Sequence, residues 1–255
     1  METIGNFHGL AVVYIRKRVC TSTRRKGHSM WPARILFTIS LSLLFLIAMS
    51  GSSRSDGNRG RQFEVAITNI TKGQTFTPIL VASHRNDVQL FELGAEASAE
   101  LEAVAETGDT APLASLLQGL AGVKEVAVTG GLLGPGQTAT LVVEAGGSFR
   151  HISVVSMLIP TNDGFFAFDG LEVPNGNRTK TRLSPAYDAG TEVNDELCAN
   201  IPGPQCGGSG ALDAGTDENG VVHINAAIQG VGDLEPSVWD WRNPVARIVI
   251  RRAHH

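Results

Sequence analysis

Acidic and amide side chains in this sequence gather in three glycine-containing segments. TNDGFFAFDG carries Asn162, Asp163 and Asp169. YDAGTEVNDE carries Asp188, Glu192, Asn194, Asp195 and Glu196, and LDAGTDENG carries Asp213, Asp217, Glu218 and Asn219. The last two share an echo, DAGTE at 188–192 and DAGTD at 213–217, in which one carboxylate precedes an Ala-Gly turn and another follows it. Such turns can converge oxygens at one end of a fold. That is what Ca²⁺ requires, with roughly six to eight oxygens, backbone carbonyls included, at about 2.3–2.6 Å. Neither segment has the glycine and terminal Glu positions of an EF-hand loop. For any one segment alone a solvated polar turn is the simpler reading, because Asp and Asn are ordinary turn residues.

Other chemistries have thinner support. His84, His151 and His223 are isolated in sequence, and two of them fall in expected strands, where a core or sheet-face role is the plainer one. GxSxG, HExxH and phosphate-loop patterns are absent from the sequence. Paired carboxylates could serve a glycosidase, which needs them about 5–9.5 Å apart, so an envelope carbohydrate-active hydrolase is the alternative function. Trp239 and Trp241 precede the last expected strand. They read as packing of a long loop or as a small recognition patch. Cys198 and Cys206 flank ANIPGPQ, and in an oxidising compartment a disulfide is the plain reading. A two-cysteine metal site has no clustered partners, and a redox pair lacks CxxC spacing.

These residues need elements to position them. FEVAITNI alternates in a strand period from Phe63, and TFTPILVASH is apolar but broken by Pro78, which predicts an edge strand or an extended passage. The period changes over 97–109, where Leu101, Val104 and Ala105 recur at helical spacing while Glu100, Glu102 and Glu106 face elsewhere; Ser98 is the expected N-cap and Gly108 the stop. PLASLLQGL continues as a second short helix. The two helices are expected to cap an edge or end of the fold. TATLVVEA, FRHISVVSMLIP, GFFAFDG, GVVHINAAIQG and NPVARIVIRR complete the expected strands. With helix confined to 97–120, no strand is followed by a crossover helix, which argues an all-β, antiparallel β-sandwich rather than an α/β fold.

Charge divides the chain. Its 255 residues carry 21 basic and 25 acidic groups, a net −4. Residues 1–50 hold seven of the bases and one acid, which leaves 51–255 at −10. So acidic a body is poorly suited to nucleic acid, whose binding rests on Lys and Arg. Residues 35–49 read ILFTISLSLLFLIAM after Arg34. A basic flank, a short apolar core and small residues at Ala48 and Ser50 predict a signal peptide within 1–50, with Met30 as an alternative start. If uncleaved, the leader would be the only contact with a membrane. Residues 51–61 read as a flexible linker and 62–252 as one exported domain.

FEVAITNIT, LFELG with LEAVAETGD, SFRHISVVSMLIPTNDGFFAF, YDAGTEVNDELC and PVARIVI occur in an order that resembles the spondin domain, and more closely the single-domain secreted spondin-type proteins of bacteria. The resemblance implies an antiparallel β-sandwich similar to C2 modules, with a calcium ion among loops at one end; the two short helices read from 97–120 then lie between early strands. It carries the family's acids onto Asp163, Asp188 and Glu192. Where the animal pattern has a tryptophan after the first acid, this chain has Gly164-Phe165-Phe166. The expected function is a secreted, periplasmic or cell-surface calcium-binding module for adhesion or recognition of an extracellular protein or glycan, without catalysis. A structural periplasmic protein with no ligand is the third reading.

Overall fold

The computed structural model describes residues 60–208 and 218–253. The leader, nearly all of the linker, and the acids Asp213 and Asp217 lie outside the described residues.

The first elements are β1 (Arg61–Asn69), β2 (Thr75–Phe76), β3 (Leu80–His84), α1 (Ala99–Glu102) running into a π-helical turn (Ala103–Thr107), α2 (Ala111–Gln118), β4 (Val123–Val128) and β5 (Thr138–Ala145). Then come β6 (His151–Ile159), β7 (Gly164–Glu172), β8 (Thr179–Ser184), β9 (Ala186–Asp188), β10 (His223–Ile224), α3 (Pro236–Trp239) and β11 (Ala246–Arg252). They form two antiparallel sheets. One has the order β5-β1-β11-β8, and the other β10-β9-β7-β6-β3-β4 with β2 paired to β6. The architecture is β-rich, with two sheets and a few short helices.

Alternation along the strands divides the apolar residues between two clusters. Phe63, Val65 and Ile67 of β1, Val143 of β5 and Ile248 and Ile250 of β11 share one core with Val81, Ile152, Val154, Leu158 and Phe166 of the larger sheet. Phe76 and Phe166 meet there at 4.3 Å between ring centroids, each ring contributing about 1.5–3 kcal/mol by its burial. The neighbours of those residues point the other way. Leu80, Val155 and Phe165 join Leu101, Val104, Leu113 and Leu117 of the helices in a second cluster. With both faces covered, β3, β6 and β7 read as near-continuous apolar runs instead of clean alternation.

Several expectations are corrected. The helices cover a face of the larger sheet, not an edge or end, because Leu101 and Leu113 need a broad apolar surface to bury against. β3 is an interior strand between β6 and β4; Pro78 ends β2 before it and leaves its N–H groups free to pair. Of GVVHINAAIQG only His223–Ile224 is strand, with Val222 and Ile228 buried as single anchors on either side. β4 (VKEVAV) and β8 (TKTRLS) have no clear strand period in the sequence. Both lie at sheet edges, β4 half-buried and β8 largely exposed, and their charges hide the alternation.

Candidate metal centre

Two tight turns bring the acids together. Asp163 ends the β6–β7 connection, where Thr161 Oγ1 donates to the Leu158 carbonyl and accepts from Gly164 N. A Cβ at Gly164 would sit 2.6 Å from Thr161 Oγ1, so only glycine closes this turn. Gly164 is in register with Asp188 on β9, and Asp188 in turn with His223 on β10. Beyond Asp188 the chain reverses at Gly190, whose φ is +68° and whose Cβ would meet Val221 N at 2.5 Å. That requirement explains the glycine of DAGT. The turn folds the following backbone over Asp163.

Asp163, Asp188 and Glu192 are 0%, 1% and 1% exposed. Asp163 Oδ2 accepts from Thr191 N at 2.9 Å and Glu192 N at 3.3 Å. Asp188 Oδ1 accepts from Gly190 N at 3.0 Å, while its Oδ2 receives the amides of Asn194 at 2.8 Å and Asn225 at 3.2 Å. Glu192 Oε1 receives Asn162 Nδ2 at 3.2 Å. Asp163 Oδ1 and Glu192 Oε2 are buried with no hydrogen-bond partner.

Burial, with the Asp188 charge next and that of Glu192 adding to it, pushes the Asp163 carboxyl up to about 8 against the opposing amides of Thr191 and Glu192. Burial likewise pushes Glu192 up to about 7, helped by the charges of Glu106 and Asp195. Bare carboxylate oxygens in a dry, like-charged site are costly. A hard cation relieves both problems at once. The donors are of the right type, all oxygen, and the two partnerless oxygens are the natural first contacts. Each oxygen of Asp188 keeps further lone-pair capacity beside its present bonds. Even so, among the described residues no group of three or more His, Cys, Asp or Glu stands assembled to hold a metal ion.

Two contributors are not legible in the sequence. Asn225 belongs to a segment expected as strand, yet its side chain reaches Asp188. Glu106 was expected to face away from the core. The π-helical turn changes the angular step per residue, and Glu106 is 3% exposed, near enough for its charge to act on Glu192. Of the third acidic segment, Glu218 and Asn219 are exposed, and Glu218 N donates to the Thr191 carbonyl at 3.1 Å. Asp195 Oδ1 accepts from Asn162 at 3.0 Å, and Glu196 N donates to Asn162 Oδ1 at 3.1 Å.

Other singled-out residues lie elsewhere. Cys198 and Cys206 form a disulfide. Trp241 is 5% exposed within the core, and Trp239 packs partly buried against the same cluster. A ring so enclosed has little face to offer a partner. His84, isolated in sequence, contacts Ser153 Oγ through Nε2 at 2.7 Å, and Ser153 lies 2.7 Å from Asp169 Oδ1. This differs from a catalytic triad, in which the acid orients the imidazole. Here the Arg85 carbonyl takes Nδ1, at 2.7 Å, the acid meets the serine, and Ser153 is fully buried.

No curated protein matches the chain. Residues 63–195, just over half of its length, match the Spondin_N family model. That stretch runs from within β1 through the Asp163, Asp188 and Glu192 cluster. The chain belongs to the Spondin_N family.

Proposed function

We propose that this protein is an exported, non-catalytic calcium-binding module that recognises an extracellular protein or glycan. Its two sheets are then the halves of an antiparallel β-sandwich similar to C2 modules. Spondin-family domains are typically extracellular and generally non-catalytic, in keeping with this reading. The observation that carries the calcium assignment is the pair of buried, partnerless carboxylate oxygens, Asp163 Oδ1 and Glu192 Oε2, beside Asp188. Asn162, Asn194 and Asn225 hold the acids by their other oxygens and so orient them. When bound, the ion supplies charge neutralisation and ties the β6–β7 turn to the DAGT turn. A paired-carboxylate hydrolase is disfavoured, because a sugar cannot lie between side chains as enclosed as Asp163 and Glu192.

Calorimetric titration with CaCl₂ after treatment with EGTA tests this. Extracellular modules bind at roughly 10⁻⁴–10⁻³ M, so about 10 mM calcium would stabilise the fold by about 1.4–2.7 kcal/mol. Absence of binding heat, together with an unchanged melting temperature at about 10 mM calcium, would sink the proposal.

A further inference from the structure

A cleft of about 460 Å³ opens where residues 89–93 meet β7, β8 and β9. Phe91, Phe168 and Tyr187 give it aromatic walls, and Asp169 and Glu92 bring carboxylates to it. The rings are held in place from below. Phe91 and Tyr187 lie 5.0 Å apart by centroid, and each sits 5.5 Å from the fully buried Phe165. At the rim, Leu93 and Leu183 are 55% and 53% exposed. Asp169 is fixed as well. Its Oδ1 accepts from Ser153 Oγ at 2.7 Å and from Leu90 N at 3.2 Å, which leaves Oδ2 for a ligand. Among the described residues no Lys, Arg or His lines the cleft, and the charge of His151 reaches Asp169 from outside it.

A fixed carboxylate beneath aromatic walls, with an apolar rim and no resident cation, has the complement of one kind of group. That group is a cation on an apolar stem. Aromatic faces attract ammonium and guanidinium groups, and a long basic side chain lays its methylenes on apolar surface while its head finds the acid. The net charge of −10 over residues 51–255 favours approach of a basic partner surface. We propose that this cleft is a recognition pocket for a single arginine or lysine side chain of a protein partner, with its stem against Phe91, Phe168 and Tyr187 and its head on Asp169. The pocket does not depend on the calcium reading, since none of Asp163, Asp188 and Glu192 lines it.

Tyr187 is the sole tyrosine besides Tyr14, so its ring resonances report on the cleft once Tyr14→Phe has identified them. The full chain is titrated at low salt with an acetylated, amidated Gly-Arg-Gly tripeptide, and with Gly-Glu-Gly as the control. Saturable shifts of the Tyr187 ring with the arginine peptide alone are expected. Asp169→Asn should weaken that binding about tenfold, the scale of one lost charge-assisted contact. Asp169 also supports Ser153, so the exposed Glu92→Gln serves as a second variant that leaves the fold intact; it should weaken binding about two- to threefold and reduce the salt dependence. Equal shifts with the glutamate peptide, no shift with millimolar arginine peptide, or unaltered affinity in both variants would overturn the assignment.

Discussion

Replacing Asp163 by asparagine should change the stability of this domain in opposite directions with and without calcium. The carboxamide oxygen still accepts from Thr191 N and Glu192 N, as Asp163 Oδ2 does. Its NH₂ group takes the place of the partnerless Oδ1 and can donate to a neighbouring carboxylate. The variant side chain is neutral at every pH, so folding no longer has to suppress a charge at this position. The folded-state carboxyl lies at about 8, against about 3.9 in the unfolded chain. Below pH 4 both states hold the proton and no penalty exists. Between pH 4 and 8 the unfolded state holds fewer protons, so the calcium-free wild type loses about 1.4 kcal/mol per pH unit. Above pH 8 the loss is complete and constant. At pH 7 it amounts to about 4 kcal/mol on this basis, or about 10 °C in melting temperature for a domain of this size. Calorimetric melts from pH 4 to 8, in EGTA and in calcium, should therefore show Asp163→Asn melting higher than wild type at pH 7 without calcium, and level with it at pH 4. In millimolar calcium the wild type should rise while the variant stays put. A variant that is destabilised equally at every pH, and that calcium raises as much as wild type, would refute both the buried-charge argument and the ligand assignment.

Two further predictions concern the segment after the acids. Cys198 and Cys206 close a short loop, with a sequence separation of 8. Replacing both by alanine should cost about 2–3 kcal/mol in urea unfolding, on the chain-entropy account of a crosslink. Glu196, buried and at φ +56°, accepts backbone N–H bonds from Gln229, Gly230 and Val231. Glu196→Ala should cost about 2–3 kcal/mol, and hydrogen exchange at 229–231 should accelerate before exchange elsewhere.

Legibility followed the strength of local patterns. FEVAITN in β1 and TATLVVEA in β5 alternate cleanly, because each has one buried face and one open face. The Ser98 cap is where its type placed it, with Ser98 Oγ accepting from Leu101 N. Edge strands were harder to see, since β8 carries Lys180 and Arg182 on a largely exposed ribbon. Glu106 escaped because a 3.6-residue period describes an α-helix, whereas the local backbone is a wider π-helical turn. The link between His84 and Ser153 joins residues 69 apart in sequence, and no local pattern can encode that separation.

Taken alone, the sequence determined the strand-rich composition, the acidic body, the cysteine pair and the glycine turns around Asp163 and Asp188. All of these are written in residue type and short spacing. The likeness to the spondin family singled out three acids from the many. What only the tertiary structure decided is their condition. Strand register sets Asp188 beside the turn that holds Asp163, and the DAGT reversal delivers Glu192 to the same buried place. The DAGT turn with Asn162, Asn194 and Asn225 then closes over oxygens that would otherwise be ordinary surface. A carboxylate at the surface is solvated whatever its neighbours in sequence. It becomes a candidate ion ligand when packing from distant segments removes that solvent and leaves an oxygen without a partner.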